Sequence, residues 1–311
     1  MEKLFDDGCS YYTMEELEPL MANLMPGEFD PKIIKNTVLD VNYGSLPEQL
    51  LDVYYPDDKS RGGGPYPVIF FVHGGGWIIG NRRSGSIRSI IKALEHGYAI
   101  ISVEYRMLPM VRYPEFIYDI KTAVRWARAH ANEYFFNPDK FGILGDSAGG
   151  YNALVAGFTA GNPEYEGEYG WEGYSSSLQA ICDIFGPTDL TADNTAIYRK
   201  SGVKRFVKPE AGKPGENETR WGVVENPGLL ALFSPVNLVR KDIPPVFILH
   251  GKDDGLVPYQ HSIFLYEKIK KVCGEDRARL KLYEGVNHAD PFFFTDECTS
   301  EIIGFFDRHL K

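Results

Sequence analysis

The sequence lacks the marks of several large protein classes. No apolar run in the chain reaches the ~18 residues that a membrane-spanning helix needs. Basic residues are also in deficit, and the 311-residue chain has a formal net charge of −10 at pH 7. Because nucleic-acid affinity depends on clustered Lys and Arg, we expect neither a membrane span nor a nucleic-acid partner.

Cysteine is scarce, and its positions show no clustering. Their spacing matches neither paired disulfides nor a His-Cys metal site, so we expect free thiols and no bound metal at Cys9, Cys182, Cys273 and Cys298. The first residues lack a basic segment followed by an apolar one, so we expect no signal peptide. This favours a cytoplasmic protein, although a secreted form that had already been processed would look the same.

Apolar segments of strand length alternate with helical patterns along most of the chain. Residues 68–72 are apolar throughout and residues 99–103 are apolar except for Ser102, which is typical of strands buried on both faces of a sheet. Residues 114–135 carry apolar side chains at helical spacing and predict an amphipathic helix. We therefore expect an α/β fold with a mostly parallel central sheet, opened by an antiparallel pair at residues 38–43 and 50–55.

Two segments interrupt this alternation within the single domain that we expect over residues 1–311. Residues 161–177 are rich in Gly, Glu and Tyr, and residues 188–233 have little sheet character. Long loops inside a compact domain are usually functional lids or partly helical caps. We expect both segments to act as cap or lid insertions. Their aromatic side chains either pack the cap onto the sheet or stack on a sugar or aryl ring.

The stretch Gly145-Asp146-Ser147-Ala148-Gly149-Gly150 fits the Gly-x-Ser-x-Gly pattern of a nucleophile elbow. It follows the strand-like residues 141–144 and precedes the helix-like residues 151–159. Such a turn strains the serine backbone, projects its Oγ into solvent and requires glycine where a side chain would collide. Ser147 is therefore a candidate nucleophile.

A glycine-rich loop, His73-Gly74-Gly75-Gly76-Trp77, follows the apolar residues 67–72. Successive glycines let the backbone approach a ligand closely, and their N–H groups have no strand partner where the chain leaves the sheet. Donors of this kind suit an oxyanion hole, which stabilises the charge that develops on a carbonyl oxygen. His73 beside the loop suits a role in orienting the backbone better than a catalytic one.

An acid and a base are expected downstream of the nucleophile, in the order Ser, then Asp or Glu, then His. Residues 245–249 predict a buried strand, and the loop after it has the spacing His-Gly-x-x-Asp-x-x-Val-Pro. This spacing favours Asp254 as the acid over Asp253, which suits a loop or capping role. The candidate base is His288, in a loop before the last helix, whereas His261 is predicted to be a surface residue of a helix.

With these motifs together, the chain resembles an α/β-hydrolase of the carboxylesterase type. The similarity is to the feruloyl and acetyl esterases with His-Gly-Gly-Gly-Trp and Gly-Asp-Ser-Ala-Gly-Gly, a group that borders on the hormone-sensitive-lipase-like esterases. Val103-Glu104-Tyr105-Arg106 and Phe185-Gly186-Pro187-Thr188-Asp189-Leu190 also match. The acid motif departs from the hormone-sensitive-lipase-like pattern and has the form also found in serine peptidases of this fold. The leaving group, alcohol or amine, therefore stays open.

The resemblance implies hydrolysis of small-molecule carboxylic esters through an acyl-enzyme, with acetyl or feruloyl esters of carbohydrate as candidate substrates and no metal or organic cofactor. It implies a triad of Ser147, Asp254 and His288. The alternatives are a serine peptidase or amidase, including an arylformamidase-like enzyme, and a binding protein that has lost catalysis. The remaining candidate site residues are the oxyanion donors Gly75, Gly76 and Ala148 and the substrate-contacting rings Trp77, Trp171, Tyr198 and Trp221.

Overall fold

The computed structural model describes residues 19, 26–57, 63–108, 110–111, 114–190, 231–232 and 234–311. These residues build an eight-stranded sheet with the strand order β1-β2-β4-β3-β5-β6-β7-β8. The strands are β1 Thr37–Asn42, β2 Leu50–Tyr54, β3 Tyr66–Val72, β4 Ala99–Val103, β5 Phe136–Asp146, β6 Ala180–Ile184, β7 Val246–Gly251 and β8 Ala278–Tyr283.

The direction of the strands confirms the predicted sheet. β1 pairs with β2, and β2 with β4, in antiparallel register, whereas the neighbours from β4 to β8 pair in parallel. Every residue of β4 and of β6 is buried, because helices cover both faces of the parallel part of the sheet. Continuous apolar runs, rather than alternating ones, are what such strands require.

Helices α1 (Glu115–Ala129), α2 (Ala148–Phe158) and α3 (Gln260–Cys273) contribute buried side chains to the hydrophobic cluster on one face of the sheet. Helix α4 (Asp296–Leu310) and the 3-10 turn Gly85–Ser89 contribute to the cluster on the other face. The parallel strands end at one common edge, so the loops that leave β3, β5, β7 and β8 lie together there. In the part of the chain that the structure describes, no helix is long and apolar enough to cross a membrane.

The first predicted insertion, residues 161–177, is tied to α1 by partly buried ion pairs. Glu166 accepts hydrogen bonds from Lys121 Nζ at 3.1 Å and from Arg125 Nη1 at 2.8 Å. Burial lowers the pKa of Lys121 to about 8, against the opposing charge of Glu166. A lid role for this segment stays a prediction. Of the second insertion, residues 191–230 and 233 lie outside the described residues.

The thiols agree with the sequence analysis where the structure describes them. Cys182, Cys273 and Cys298 are free, and Cys182 and Cys298 are buried. Burial raises the pKa of Cys298 to about 11. Cys9 lies outside the described residues.

Candidate active site

Ser147 lies between the end of β5 and the start of α2, and its backbone has the positive φ of a strained turn. Its φ is 53° and its ψ is −121°, a region that serine visits rarely. Its N–H donates to the carbonyl of Ile184 on β6 at 2.8 Å, which fixes the turn against the sheet. The side chain therefore projects from the carboxyl edge of the strands.

The glycines around Ser147 are required by close backbone approaches. A Cβ on Gly145 would lie 2.2 Å from the carbonyl oxygen of Gly149. A Cβ on Gly149 would lie 2.0 Å from the carbonyl oxygen of Val72. The pattern of small residues thus allows α2 to start directly against the ends of β3 and β5.

His288 lies in the loop after β8, and its imidazole reaches Ser147. The distance from His288 Nε2 to Ser147 Oγ is 3.0 Å. His288 is buried on its other side, where the ring of Phe185 packs with a centroid distance of 4.6 Å. This is hydrogen-bonding geometry for a base that takes the proton from a serine hydroxyl.

Asp254 lies in the loop after β7 and contacts the opposite nitrogen of the same imidazole. Its Oδ2 is 2.7 Å from His288 Nδ1, and its Oδ1 accepts the backbone N–H groups of Leu256 at 2.8 Å and Val257 at 2.7 Å. Burial opposes ionisation of this carboxyl. The charge of His288 and the hydrogen bonds outweigh that effect and hold the pKa of Asp254 well below its usual range. Asp253, by contrast, is exposed.

The hydrogen-bond partners assign the tautomer of His288. An ionised carboxylate only accepts hydrogen bonds, so Nδ1, which faces Asp254, carries the proton. Nε2 is then free to accept the hydroxyl proton of Ser147. The structure therefore brings the three predicted residues into one connected line, in the protonation state that general-base activation of a serine needs.

The glycine-rich loop presents backbone donors beside Ser147. Gly75 and Gly76 have φ values of 116° and 60°, which turn the chain away from β3. Within the described residues, no protein acceptor takes the N–H groups of Gly75, Gly76 or Ala148. Ala148 begins α2, where the first N–H groups have no partner inside the helix. Three free donors at this edge are available to an anionic ligand.

His73 supports the loop, as its residue type suggested. Its Nδ1 lies 2.8 Å from the carbonyl oxygen of Gly74 and donates to it. Its ring stacks on Tyr105 at 4.4 Å, and the Tyr105 hydroxyl donates to the carbonyl oxygen of His73 at 2.8 Å. Burial lowers the pKa of His73, against the charge of Glu104. The neutral imidazole thus stabilises the backbone of the glycine-rich loop at the end of β3.

Two of the four predicted substrate-contacting rings, Trp77 and Trp171, lie within the described residues. Trp77 donates from Nε1 to Asn152 Oδ1 at 3.0 Å and packs edge-on against Tyr151 at 5.3 Å, so its ring joins the glycine-rich loop to α2. Trp171 donates to the carbonyl oxygen of Tyr43 at 2.8 Å and meets the ring of His130 at 4.5 Å, rather than contacting the Ser147 group. The other two candidates, Tyr198 and Trp221, lie outside the described residues.

One sequence prediction in this region is wrong. His261 is fully buried, not a surface residue of its helix. Its Nδ1 accepts the backbone N–H of Thr188 at 3.2 Å, because the first turn of α3 faces the chain that leaves β6. Two further residues were missed at the site. Phe185 has a φ of 47°, unusual for a bulky side chain, and His250 contacts Asp254.

Comparison with known proteins agrees with this fold. Residues 51–269 match the family model BD-FAE. Esterase LipC of Mycobacterium tuberculosis is 30% identical over 248 residues, covering 80% of this chain and 58% of LipC. Esterase LipQ of the same organism is 32% identical over 225 residues, covering 72% of this chain and 50% of LipQ. The chain therefore spans little more than half the length of these relatives.

A solved structure is similar over nearly its whole length. A truncated form of a carbohydrate esterase from gut microbiota aligns with a TM-score of 0.73 at 25% identity, covering 91% of this chain and 99% of that one. The sheet order, the elbow and these similarities define an α/β-hydrolase of the carboxylesterase type, which confirms the predicted fold. The chain belongs to the BD-FAE family.

Proposed function

We propose that this chain hydrolyses carboxylic esters, with Ser147 as the nucleophile, His288 as the general base and acid, and Asp254 as the acid that orients the imidazole. The observation that carries the proposal is the continuous hydrogen-bonded line of these residues, with contacts of 3.0 Å at Ser147 and 2.7 Å at Asp254. The esterase names of the related proteins support the choice of reaction.

The reaction proceeds in two halves. In the first, His288 Nε2 takes the proton of Ser147 as Oγ forms a bond to the ester carbonyl carbon, and the same proton then passes to the departing alcohol. In the second, His288 deprotonates a water that attacks the acyl-enzyme, and returns the proton to Oγ as the carboxylic acid leaves. The charge of Asp254 stabilises the imidazolium in each half. No metal or organic cofactor takes part in this scheme.

The free N–H groups of Gly75, Gly76 and Ala148 form the oxyanion hole in this proposal. Each tetrahedral intermediate carries a negative oxygen, and donors that are already oriented need no reorganisation to bind it. The turn at Gly75 supports this role, since its carbonyl oxygen accepts from both Ile78 and Ile79 at 3.1 Å and so fixes the direction of the loop.

We propose short acyl esters, such as acetyl or feruloyl esters of carbohydrate, as the substrate class. The structural likeness to a carbohydrate esterase over 91% of this chain supports this class. The sequence segments around the site also lack the long apolar stripe that a lipase lid uses to bind extended acyl chains.

A serine amidase or peptidase is the second candidate, because the acid motif His250-Gly-x-x-Asp254-x-x-Val-Pro has the form found in peptidases of this fold. One panel separates the candidates: nitrophenyl esters graded from acetyl to dodecanoyl, an aminoacyl nitroanilide and methyl ferulate. We expect kcat/KM to be highest for acetyl or feruloyl esters. A higher kcat/KM on the anilide than on every ester would replace the esterase proposal with the amidase. No turnover of any member would favour a binding protein.

A further inference from the structure

A second buried histidine lies behind the carboxylate of Asp254. His250, in β7, is fully buried, and its Nε2 lies 3.0 Å from Asp254 Oδ2 and 2.8 Å from the carbonyl oxygen of Val257. Its Nδ1 lies 2.7 Å from Ser262 Oγ on α3. The imidazole therefore bridges the loop after β7 and the first turn of α3.

The partners of His250 determine where its proton lies. Val257 offers a carbonyl oxygen and Asp254 a carboxylate oxygen, and both groups only accept hydrogen bonds. Nε2 therefore carries a hydrogen, which it shares between the two acceptors. Nδ1 is then left to accept the hydroxyl hydrogen of Ser262.

This contact completes the hydrogen-bonding of the acid. Oδ1 of Asp254 is held by the N–H groups of Leu256 and Val257, and Oδ2 lies between His288 Nδ1 and His250 Nε2. The two imidazoles come from different segments, His250 from β7 and His288 from the loop after β8. Their donors fix the rotation of the carboxylate, and the direction of Oδ2 in turn sets the plane of the His288 ring.

The surroundings of His250 exclude water. Asp183, on the adjacent strand β6, is also fully buried and interacts electrostatically with His250. The ring of Phe185 lies 6.5 Å from the His250 ring. A hydrogen bond in such a buried site is stronger than one in water, so the loss of the Nε2–H of His250 acts directly on Asp254.

We infer that His250 is a positioning residue of the ester-hydrolysis site: its Nε2–H holds Asp254 Oδ2 in the orientation that aligns His288 with Ser147. The inference rests on the proposed function, since it assumes that these three residues carry the reaction. It predicts that the donor at the Nε2 position matters for turnover, whereas the contact of Nδ1 with Ser262 does not.

Two amide substitutions separate the two nitrogens. In His250→Gln the side-chain amide nitrogen reaches close to the Nε2 position and keeps a donor to Asp254. In His250→Asn the shorter amide reaches only the Nδ1 position, beside Ser262, and leaves Asp254 without this donor. Both variants are polar and lack the ring. His261→Asn is the matched control, since His261 is a buried histidine of α3 whose Nδ1 accepts from Thr188 instead, and the Asn amide oxygen keeps an acceptor close to that position.

The assay is kcat and KM on an acetyl ester, with Ser147→Ala in the same series. We expect His250→Asn to lose about 10- to 100-fold in kcat with KM unchanged, as for other removed supporting hydrogen bonds. His250→Gln is expected to keep kcat within about threefold, and His261→Asn to match the wild type. Equal kcat in the Gln and Asn variants would overturn the inference. An active Ser147→Ala would instead overturn the proposed function.

A spectroscopic readout covers the case in which His250→Asn does not fold. Proton NMR of the wild type is expected to give a low-field resonance from the His288 Nδ1–H that faces Asp254. We expect this resonance to persist in His250→Gln and in Ser262→Ala, since both keep the donor to Asp254. Loss of the resonance in a folded Ser262→Ala, with its retention in the wild type, would assign the positioning role to the Nδ1 contact and contradict the inference.

Discussion

The indole Nε1 of Trp77 donates a hydrogen bond to Asn152 Oδ1 at 3.0 Å, which joins the glycine-rich loop to the helix that begins after Ser147. Asn152 is fully buried, and its Nδ2 has no hydrogen-bond partner among the described residues. A buried amide that is only half satisfied is costly. The contact supports a role for Trp77 in holding the glycine-rich loop, beside its predicted role in binding substrate.

The two roles of Trp77 predict effects on different kinetic constants, kcat for holding the loop and KM for binding substrate. If the ring holds the loop, Trp77→Phe and Asn152→Ala each lower kcat by about 10-fold, less than the ~10² of a lost oxyanion donor, and the double variant loses little more. If the ring binds substrate, Trp77→Phe raises KM for aryl esters while Asn152→Ala does not. We expect the first pattern, which a double-mutant cycle in kcat tests.

Asp254 and Asp253 are neighbours in the loop after β7, and substitutions of the two are expected to change kcat very differently. Asp254→Asn keeps the size of the side chain but removes the charge and leaves His288 free to adopt the wrong tautomer, so we expect kcat to fall by ~10⁴. Asp253→Asn alters an exposed side chain and is expected to leave kcat within about twofold of the wild type. Steady-state kinetics on an acetyl ester measures both. Comparable losses in the two variants would show that the acid is misassigned.

Asp183 makes stability depend on pH. Burial raises the pKa of this carboxyl to about 7, against the opposing influence of His250. Its neutral form is the one that the fold accommodates, so its contribution to stability is complete below about pH 4 and is lost as the pH rises through about 7. Asp183→Asn stays neutral. We expect the free energy of unfolding of the variant, relative to the wild type, to increase from about pH 5 to about pH 8 in urea titrations. A difference that stays constant or falls would contradict the assignment.

The close approach at Gly149 predicts a stability effect with a clear control. A Cβ there would lie 2.0 Å from the carbonyl oxygen of Val72, and backbone cannot move aside cheaply. We expect Gly149→Ala to lower the free energy of unfolding by about 3 kcal/mol. Gly304 is an exposed glycine inside α4 with open space at its Cβ position, so Gly304→Ala is expected to stabilise by about 0.5 to 1 kcal/mol. Equal effects in chemical denaturation would refute the packing argument.

The positions that a sequence can indicate best are those that follow from strand order. Ser147, Asp254 and His288 each follow a recognisable strand, and parallel strands end at one edge, so their loops lie together there. The contact of His250 with Asp254 depends on a reversal of the loop after β7. Its motif contained His250, but no spacing rule says that the side chain turns back toward the acid four residues later.

The prediction for one helix face was wrong for a physical reason. His261 looked like a surface residue because the sequence does not tell which segment covers the first turn of a helix. A lid or cap role for residues 161–177 stays a prediction. The sequence carries one sign of how this segment is held: Lys121 and Arg125 lie among the apolar positions of α1, and both contact Glu166. A buried cation predicts an acidic partner from elsewhere in the chain.

The central claim is that His288 activates Ser147 to form a covalent intermediate, and one labelling measurement tests it directly. The protein is treated with a fluorophosphonate, digested and analysed by mass spectrometry, with His288→Ala treated in parallel. We expect one adduct, on the Ser147 hydroxyl, in the wild type, and at least about 100-fold slower labelling in His288→Ala, because the unassisted hydroxyl is a weak nucleophile. An adduct on another residue, or equal labelling rates in the two proteins, would contradict the account.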